Sequence, residues 1–391
     1  MVVSFFRKLK SLIPIRVDKN SYYSEDDYRN AFLYSALTEG TAESTGNILT
    51  AKGYLVPSGD RQIEVIKKLP LEELEVIAEN MLKTVFKEAR KYGAFRFPVI
   101  IATDPCDIPY YGNPCSPFVV GTKHKQGTSW AHSFVCTDAV IKGERFTLSF
   151  NRRTMQSKDS DIVAKVLKTA KERAKISISL LDREFYSVDV VNIHKMEKLN
   201  FIIPAVDTSG VKDVKRKYDI PLTTNYIMKS GEGKQTEVKL SLVARDKETY
   251  GFINNMNMEP EDIANIYSMR WGVETGHRMR NKFRARTCSR DYNVRCFYFI
   301  LSVALYSFWV LVNLFVTEQA YGFPGEPKIR WFELKAFLLV FIEGVLSCAA
   351  GETPLSYSYL QFFIFSMKIE FFVKEEVVIN KERNYENPLL Q

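Results

Sequence analysis

Residues 265–290 read NIYSMRWGVETGHRMRNKFRARTCSR, in which one carboxylate, Glu274, stands among many cations. Those cations are Arg270, Arg278, Arg280, Lys282, Arg284, Arg286 and Arg290. If Glu261–Arg284 forms one helix, Tyr267, Arg270 and Glu274 share a face, because residues three or four apart are neighbours on a helix. Surface ion pairs add little to stability. The pattern therefore indicates a metal ion bound by Glu274 and a polyanion bound by the cations, with a solvated basic helix as the alternative.

Length, charge and cysteine usage limit the class of protein. With 391 residues the chain can form two or three domains. The net charge of +8 is moderate, and its clustering points to a phosphate-rich partner. The six cysteines show no C-x-x-C spacing, so neither a zinc site nor a disulfide framework is indicated. Reduced thiols favour a cytoplasmic protein.

Two short apolar runs each lead into an aspartate. Phe97–Thr103 precedes Asp104, and Ile176–Leu181 precedes Asp182. Such runs predict buried strands, and sites in open α/β sheets form at the carboxyl ends of strands. Asp104, Asp182 and Glu274 are therefore predicted to converge, with Asp107 as the substitute for Asp104.

Three clustered carboxylates repel one another unless a cation neutralises them. Oxygen ligands with few histidines favour Mg²⁺ or Mn²⁺ over zinc. Two such ions, roughly 3.5–4 Å apart, would serve both the attacking and the leaving oxygen of a phosphodiester. The expected cofactor is thus a pair of Mg²⁺ (or Mn²⁺) ions.

The remaining sequence predicts an α/β mixed sheet between helical regions. Residues 1–92 are mostly helical (Asp26–Leu37, Asp60–Lys68 and Leu71–Tyr92), and either bind DNA, mediate dimerisation or serve as a scaffold. The expected units after them are 93–206, the first part of the core; 207–258, a β-rich insertion; 259–318, the catalytic helix and end of the core; and 319–391, a helical C-terminal region. Thr128–Asp138 and Glu144–Phe150 are expected to form an antiparallel pair.

The segment Cys296–Val316 is 21 residues without a charge, long enough to span a bilayer. A helix buried on all sides in an α/β domain has the same composition. We expect this segment to be a buried helix and not a membrane span, because it directly follows a segment that must face an aqueous polyanion.

The chain resembles insertion-sequence DDE transposases with a ribonuclease H-like core, a group marked by the signature Tyr-x-x-Arg-x-x-x-Glu-x-x-x-x-x-x-Lys. Tyr267, Arg270 and Glu274 match that signature, and Trp271 is also typical. The segments ATDPCDIPYYG (Ala102–Gly112) and LLDREFYS (Leu180–Ser187) resemble the regions of the first and second aspartates. The similarity covers roughly residues 97–315.

The resemblance implies a ribonuclease H-like mixed sheet with a β-strand insertion. It also implies metal-dependent cleavage of double-stranded DNA at transposon ends and strand transfer into target DNA by a homodimer or a higher assembly. Asp104, Asp182 and Glu274 would be the catalytic metal ligands. The expected DNA-binding residues are Tyr267, Arg270, Trp271, Arg278, Lys282, Arg284 and Arg286.

Several of these roles have alternatives. Tyr267 is expected to contact a phosphate or to pack in the core, Arg270 to clamp a phosphate or to pair with Glu274, and Trp271 to stack on a flipped base or to pack. His277 is expected to face solvent or DNA. The signature lysine position is Asn281; Lys282 follows it, and Arg278 is close enough on the helix to replace the phosphate contact.

Three other functions remain open at this level. The first is a nuclease on the same core that performs no strand transfer. The second is a membrane-embedded protein with a basic cytosolic domain, although we expect no membrane partner. The third is a DNA-binding protein that has lost catalysis.

Overall fold

A computed structural model of the protein describes residues 2–141, 144–245, 248–319 and 329–349. The helices are α1 (Val2–Ser11), α2 (Glu25–Thr38), α3 (Ala42–Ala51), α4 (Gly59–Lys67), α5 (Leu71–Lys91), α6 (Asp159–Arg173), α7 (Val188–Met196), α8 (Ser209–Lys217), α9 (Pro260–Ser268), α10 (Gly272–Asn281), α11 (Tyr292–Gln319) and α12 (Trp331–Ala349). The strands are β1 (Val99–Pro109), β2 (Val120–Lys125), β3 (Thr128–Ile141), β4 (Glu144–Arg153), β5 (Ile176–Leu181), β6 (Asn200–Pro204), β7 (Leu222–Lys229), β8 (Gln235–Arg245) and β9 (Glu248–Asn254).

These strands form one mixed sheet in the order β2-β3-β1-β5-β6-β9-β8-β7, with β4 pairing with β3. The pairs β1–β5 and β5–β6 are parallel, and the remaining pairs are antiparallel. The β1–β5 pairing ends where Thr103 lies opposite Leu181. The residue after each of these two is an aspartate, so the sheet brings Asp104 and Asp182 side by side at the carboxyl end of a parallel pair.

Strand β1 is longer than its apolar run predicts. We expected it to end at Asp104, but antiparallel pairing with β3 continues to Pro109, opposite Ala131. Asp104 is therefore inside β1, although it lies just past the last residue that pairs with β5. Pro105 fits there because a strand tolerates a missing N–H where one side is no longer paired. The antiparallel pair β3–β4 is confirmed.

The region expected to be a β-rich insertion extends the main sheet. Its strand β9 pairs with β6, with Ile203 opposite Ile253, and β8 and β7 continue outward from β9. The strands predicted at 237–244 and 249–253 are confirmed within β8 and β9. Helix α8 and strand β7, which the sequence did not reveal, complete the segment. The domain boundaries themselves remain a prediction.

The predicted continuous helix Glu261–Arg284 is wrong. The chain forms α9, a 3-10 turn over Met269–Trp271, and then α10, which ends at Asn281. The Arg145 side chain donates to the carbonyl of Met269 at this break, and satisfying a carbonyl outside the helical ladder stabilises such a turn. Tyr267 and Glu274 therefore lie on different helices, and the single helical face that we expected does not exist.

Helix α11 is the core helix of the molecule. Among the described residues it is the one helix that is long and apolar enough to cross a membrane. Of its most apolar stretch of 18 residues, 89% is buried inside the protein. Phe299 stacks on Phe134 of β3 at 4.1 Å between ring centroids. The prediction that this segment packs against the sheet is confirmed. The absence of a membrane partner stays a prediction.

The N-terminal helices share the α11 core. Phe5 of α1 stacks on Phe308 with 5.3 Å between centroids, and Phe32 of α2 contacts Phe297 at 5.0 Å. The helices predicted at 26–37, 60–68 and 71–92 are confirmed as α2, α4 and α5, within two residues at each end. Their packing joins them to the same hydrophobic cluster as α11 and α12.

Candidate active site

Two of the three predicted ligands meet at the edge between β1 and β5. The backbone N–H of Asp182 donates to the Thr103 carbonyl at 3.3 Å, which fixes the end of β5 beside β1. Asp104 is buried, whereas the Asp182 side chain is 34% exposed. The Asp182 carboxylate accepts a hydrogen bond of 2.6 Å from the Arg183 backbone N–H. One carboxylate is therefore buried and its neighbour is partly exposed to solvent.

Arg270 joins the two aspartates. Its Nη1 donates to Asp104 Oδ1 at 2.7 Å, and its Nη2 lies 4.0 Å from Asp182 Oδ1. Burial opposes the charged guanidinium, but the Tyr267 hydroxyl and the two carboxylates raise the pKa of Arg270 above its ordinary value. We expected Arg270 to clamp a phosphate or to pair with Glu274. In the structure it neutralises the first two acids of the site, and its phosphate contact stays a prediction.

This geometry fits a divalent cation. Two side chains with carboxylate oxygens, one on β1 and one directly after β5, lie on either side of the Arg270 charge. Mg²⁺ and Mn²⁺ prefer carboxylate oxygens of this kind. Among the side chains that the structure describes, no group of three potential ligands is present.

For Glu274, the third predicted ligand, the structure describes only the backbone. Glu274 lies in the first turn of α10, but its side chain, like that of Trp271, is outside the described part of the structure. His277, one turn later on α10, contacts Asp104. The helix that carries Glu274 thus lies against β1, while the role of Glu274 as a ligand remains a prediction.

Tyr267 is a packed residue. It is 6% exposed, its ring lies 5.0 Å from that of Phe252, and its hydroxyl donates to the Leu181 carbonyl at 3.3 Å. Burial raises the pKa of Tyr267 above its ordinary value. The expected phosphate contact is therefore replaced by packing. Tyr267 supports the carboxyl end of β5 and the guanidinium of Arg270, which lies 5.4 Å from its ring centroid.

His277 points into the protein, contrary to expectation. Its Nε2 donates to Asp104 Oδ2 at 2.8 Å, and its Nδ1 accepts from Arg280 Nη1 at 3.0 Å. The hydrogen bond to Asp104 favours a proton on Nε2, whereas burial and the charge of Arg280 oppose a second proton on the ring. Asp104 is thus held on both oxygens, by Arg270 and by His277.

A buried ion pair, missed in the sequence, lies behind His277. Arg280 donates to Asp138 of β3, and both side chains are 1% exposed. Burial opposes the charge on Arg280, but Asp138 raises the pKa of Arg280 above its ordinary value. An isolated acid in the apolar strand around Asp138 was the available signal, since a buried charge requires a partner.

The other predicted DNA-binding residues do not form one stripe. Arg278 is exposed on α10, whereas Arg284 and Arg286 follow the end of that helix, the first half-buried and the second exposed. The ammonium of Lys282 lies 5.3 Å from the Trp331 ring centroid and 4.0 Å from Glu39 Oε2. The cations therefore cover a surface around the carboxyl end of α10 rather than a helical face.

The comparisons with known proteins agree with this arrangement. The Transposase DDE domain family matches residues 96–308, more than half of the chain. The protein therefore belongs to the DDE transposases, and it is a DNA transposase that binds DNA; enzymes of this class use divalent metal ions. In fold it is similar to piggyBac transposase, solved by cryo-EM as a synaptic complex with hairpin DNA. The TM-score is 0.58 and the sequence identity 12%, over 93% of this chain and 81% of that chain. The mixed sheet is accordingly ribonuclease H-like. No curated protein matches the chain.

Proposed function

We propose that this transposase cuts both ends of its element and joins them to target DNA at a site formed by Asp104, Asp182 and Glu274. The observation that carries the proposal is the pairing of Asp104 and Asp182 around the single guanidinium of Arg270. We further propose that these three carboxylates bind two Mg²⁺ or Mn²⁺ ions. When bound, the ions supply charge neutralisation and activation of the attacking oxygen at the phosphodiester.

The chemistry would consist of two in-line displacements at phosphorus. Water attacks the phosphodiester at the element's end, the bond to the 3′ oxygen breaks, and a free 3′-hydroxyl results. That hydroxyl then attacks a phosphodiester of the target and displaces the target's 3′ oxygen. Positioning and charge neutralisation carry such reactions. Asp104, held on both oxygens, keeps its geometry in both steps.

The proposed DNA surface surrounds the carboxyl end of α10. Arg278 and Arg286 are exposed there, and Lys282 and Arg284 are half-buried beside them. Cations contribute most of the affinity for a phosphate backbone. Trp271 is proposed to contact a base of the element's end. We propose a homodimer on double-stranded DNA, located in the cytoplasm at the nucleoid and without a membrane partner.

The deciding experiment compares the three proposed ligands with a second acid of β1. D104N, D182N and E274Q should each abolish cleavage of DNA carrying the element's ends, while DNA binding persists because the cations remain. D107N is the matched control, since Asp107 is an exposed acid of the same strand β1, and it should cleave normally. Loss of cleavage in D107N with retention in D104N would refute the assignment.

Joined products separate this function from that of a plain nuclease. The wild-type protein should convert pre-cut ends with a free 3′-hydroxyl into covalent products with target DNA. A nuclease without strand transfer would give cut ends only. The same carboxylates should be required for both steps, because one site performs them.

A further inference from the structure

A row of polar side chains runs from Asp104 into the protein interior. His277 donates to Asp104 Oδ2 at 2.8 Å, Arg280 donates to His277 Nδ1 at 3.0 Å, and Arg280 also donates to Asp138. The row begins at the proposed metal site on β1 and ends on β3. Because Asp138 lies opposite Ala102 in the β1–β3 register, the two acids at its ends lie on neighbouring strands of one sheet.

The far end of the row is a fully buried ion pair. Arg280 and Asp138 are each 1% exposed, and the guanidinium lies 5.7 Å from the ring centroid of Tyr306. Burying two charges is unfavourable, and apolar residues of similar volume often stabilise a fold equally well. The orientation of His277, which Arg280 contacts, therefore explains this pair better than a gain in stability does.

The pair sets the tautomer of His277. An arginine has hydrogen-bond donors and no acceptor, and it stays charged in proteins. Since Arg280 Nη1 faces Nδ1 of His277, that nitrogen accepts. The ring proton is then on Nε2, which faces Asp104 Oδ2. Asp138 holds Arg280, Arg280 fixes the ring, and the ring delivers one N–H to the carboxylate.

We propose that His277 is a positioning residue for Asp104, and that Arg280 and Asp138 hold His277 in the orientation and tautomer this requires. The inference rests on the proposed function, since it takes Asp104 as a metal ligand. A carboxylate has about four acceptor positions, so the bond from His277 leaves room for a metal ion. Ligands fixed by such outer hydrogen bonds bind their metal more tightly, typically by 10–100-fold.

The same contacts fix the helix that bears the third predicted ligand. His277 attaches α10 to β1, and Arg280 attaches it to β3. Glu274 precedes His277 by three residues, so its backbone is placed relative to Asp104 by the contact one turn away. The row therefore positions both Asp104 and the start of α10.

Two substitutions of His277 separate the hydrogen bond from packing. In His277→Gln the amide nitrogen reaches the Nε2 position and can donate to Asp104. In His277→Asn the amide ends near the Nδ1 position, so it can accept from Arg280 but does not reach Asp104. We expect H277N to bind Mn²⁺ about 10–100-fold more weakly in calorimetry of the full chain, and H277Q to stay within a few-fold of wild type.

Two controls accompany this measurement. His194 is also buried, accepts from Ser179 and donates to Val190, and it contacts no member of the row, so H194N should bind Mn²⁺ like wild type. The Mn²⁺ concentration for half-maximal DNA cleavage should shift in parallel with the calorimetric affinity.

A double variant tests the buried ion pair. D138N combined with R280Q removes both buried charges together and should weaken Mn²⁺ binding, because His277 then loses its fixed tautomer.

The outcomes distinguish the inference from the proposed function. If D104N weakens Mn²⁺ binding while H277N does not, the positioning role is wrong and the metal site stands. If D104N itself binds Mn²⁺ like wild type, the metal site is wrong. Equal losses in H277N and H277Q would overturn the inference, because ring packing rather than the donated hydrogen bond would then be responsible. If H277N does not fold, the D138N–R280Q variant decides: weaker Mn²⁺ binding supports the inference, and binding like that of wild type overturns it.

Discussion

Arg270 shows how much one residue depends on its tertiary surroundings. In the sequence it was one of seven cations within residues 265–290, and a phosphate contact was the natural expectation. In the structure it lies between Asp104 and Asp182. Two neighbouring carboxylates repel each other, and the Arg270 guanidinium neutralises that repulsion. Because the fold already holds this guanidinium in place, no ion from solution has to be immobilised there.

Replacement of Arg270 should therefore destabilise the metal-free protein. We expect R270Q to lower the free energy of unfolding by about 1–3 kcal/mol in the presence of EDTA, because it removes the positive charge between two neighbouring acids. Addition of Mn²⁺ should restore most of the loss. The measurement is thermal unfolding with and without the ion. R245Q, which removes an exposed pair with Glu261 of 2.8 Å, should change stability by no more than about 1 kcal/mol in either condition.

Two buried histidines give the fold an acid-sensitive contribution. Burial lowers the pKa of His132 and of His194 to about 4, from 6.5 in the unfolded chain. Between these values the unfolded chain binds protons that the folded chain does not. The free energy of unfolding should therefore fall as the pH drops from 6.5 to 4, by up to about 3 kcal/mol for each histidine.

Urea titrations across that pH range measure this slope. H194N should flatten it, since the asparagine keeps a donor near Val190 but does not titrate. The matched variant H124N changes an exposed histidine of β2 and should leave the slope as it is. A slope unaffected by H194N would show that His194 does not contribute to the acid sensitivity.

At the scale of elements, the aromatic contacts of α11 decide where this apolar helix lies. Phe299 is 1% exposed and stacks on Phe134. F299A should lower the free energy of unfolding by about 3–5 kcal/mol through lost burial and a residual cavity, measured by chemical denaturation. F97A removes a phenylalanine that is 66% exposed and should have an effect within about 0.5 kcal/mol.

Elements defined by local pattern could be predicted, and elements defined by partners could not. Strand β5 was predicted at its observed limits, because an apolar run between Lys175 and Asp182 marks both ends. Strand β1 was predicted too short, because its second half exists only through pairing with β3. The break at Met269–Trp271 was missed because helical periodicity continues on both sides of it.

The residues of the site likewise divide into those that local sequence predicts and those that depend on a distant partner. An aspartate after a buried strand was enough to select Asp104 and Asp182 and to expect them side by side. The inward turn of His277 and Arg280 could not be foreseen, because the local sequence is uniformly basic and a helix alone does not reveal which cations face a buried acid. Asp138, on a strand distant in sequence, supplies that information.

For the whole molecule, the net charge of +8 should appear as a salt-dependent affinity for DNA. R286Q should flatten the slope of log affinity against log salt by about one unit, since Arg286 is exposed near the site. R284Q should flatten it less, because Arg284 is half-buried. R216Q on α8 is the control: that side chain is 79% exposed beside Asp213, and the slope should not change. An equal effect of all three would indicate nonspecific attraction.

The contact between α1 and α11 can form only late in the synthesis of the chain. Phe5 stacks on Phe308, and the ribosome makes these residues about 300 positions apart. At roughly 5–20 residues per second, the partner emerges on the order of 15–60 s after the N-terminal helices. Throughout that interval the nascent chain presents the apolar faces of α1 and α2 to the cytosol. Synthesis of this transposase should therefore engage chaperones that hold exposed aromatic segments, and their supply would limit how much active enzyme a cell accumulates.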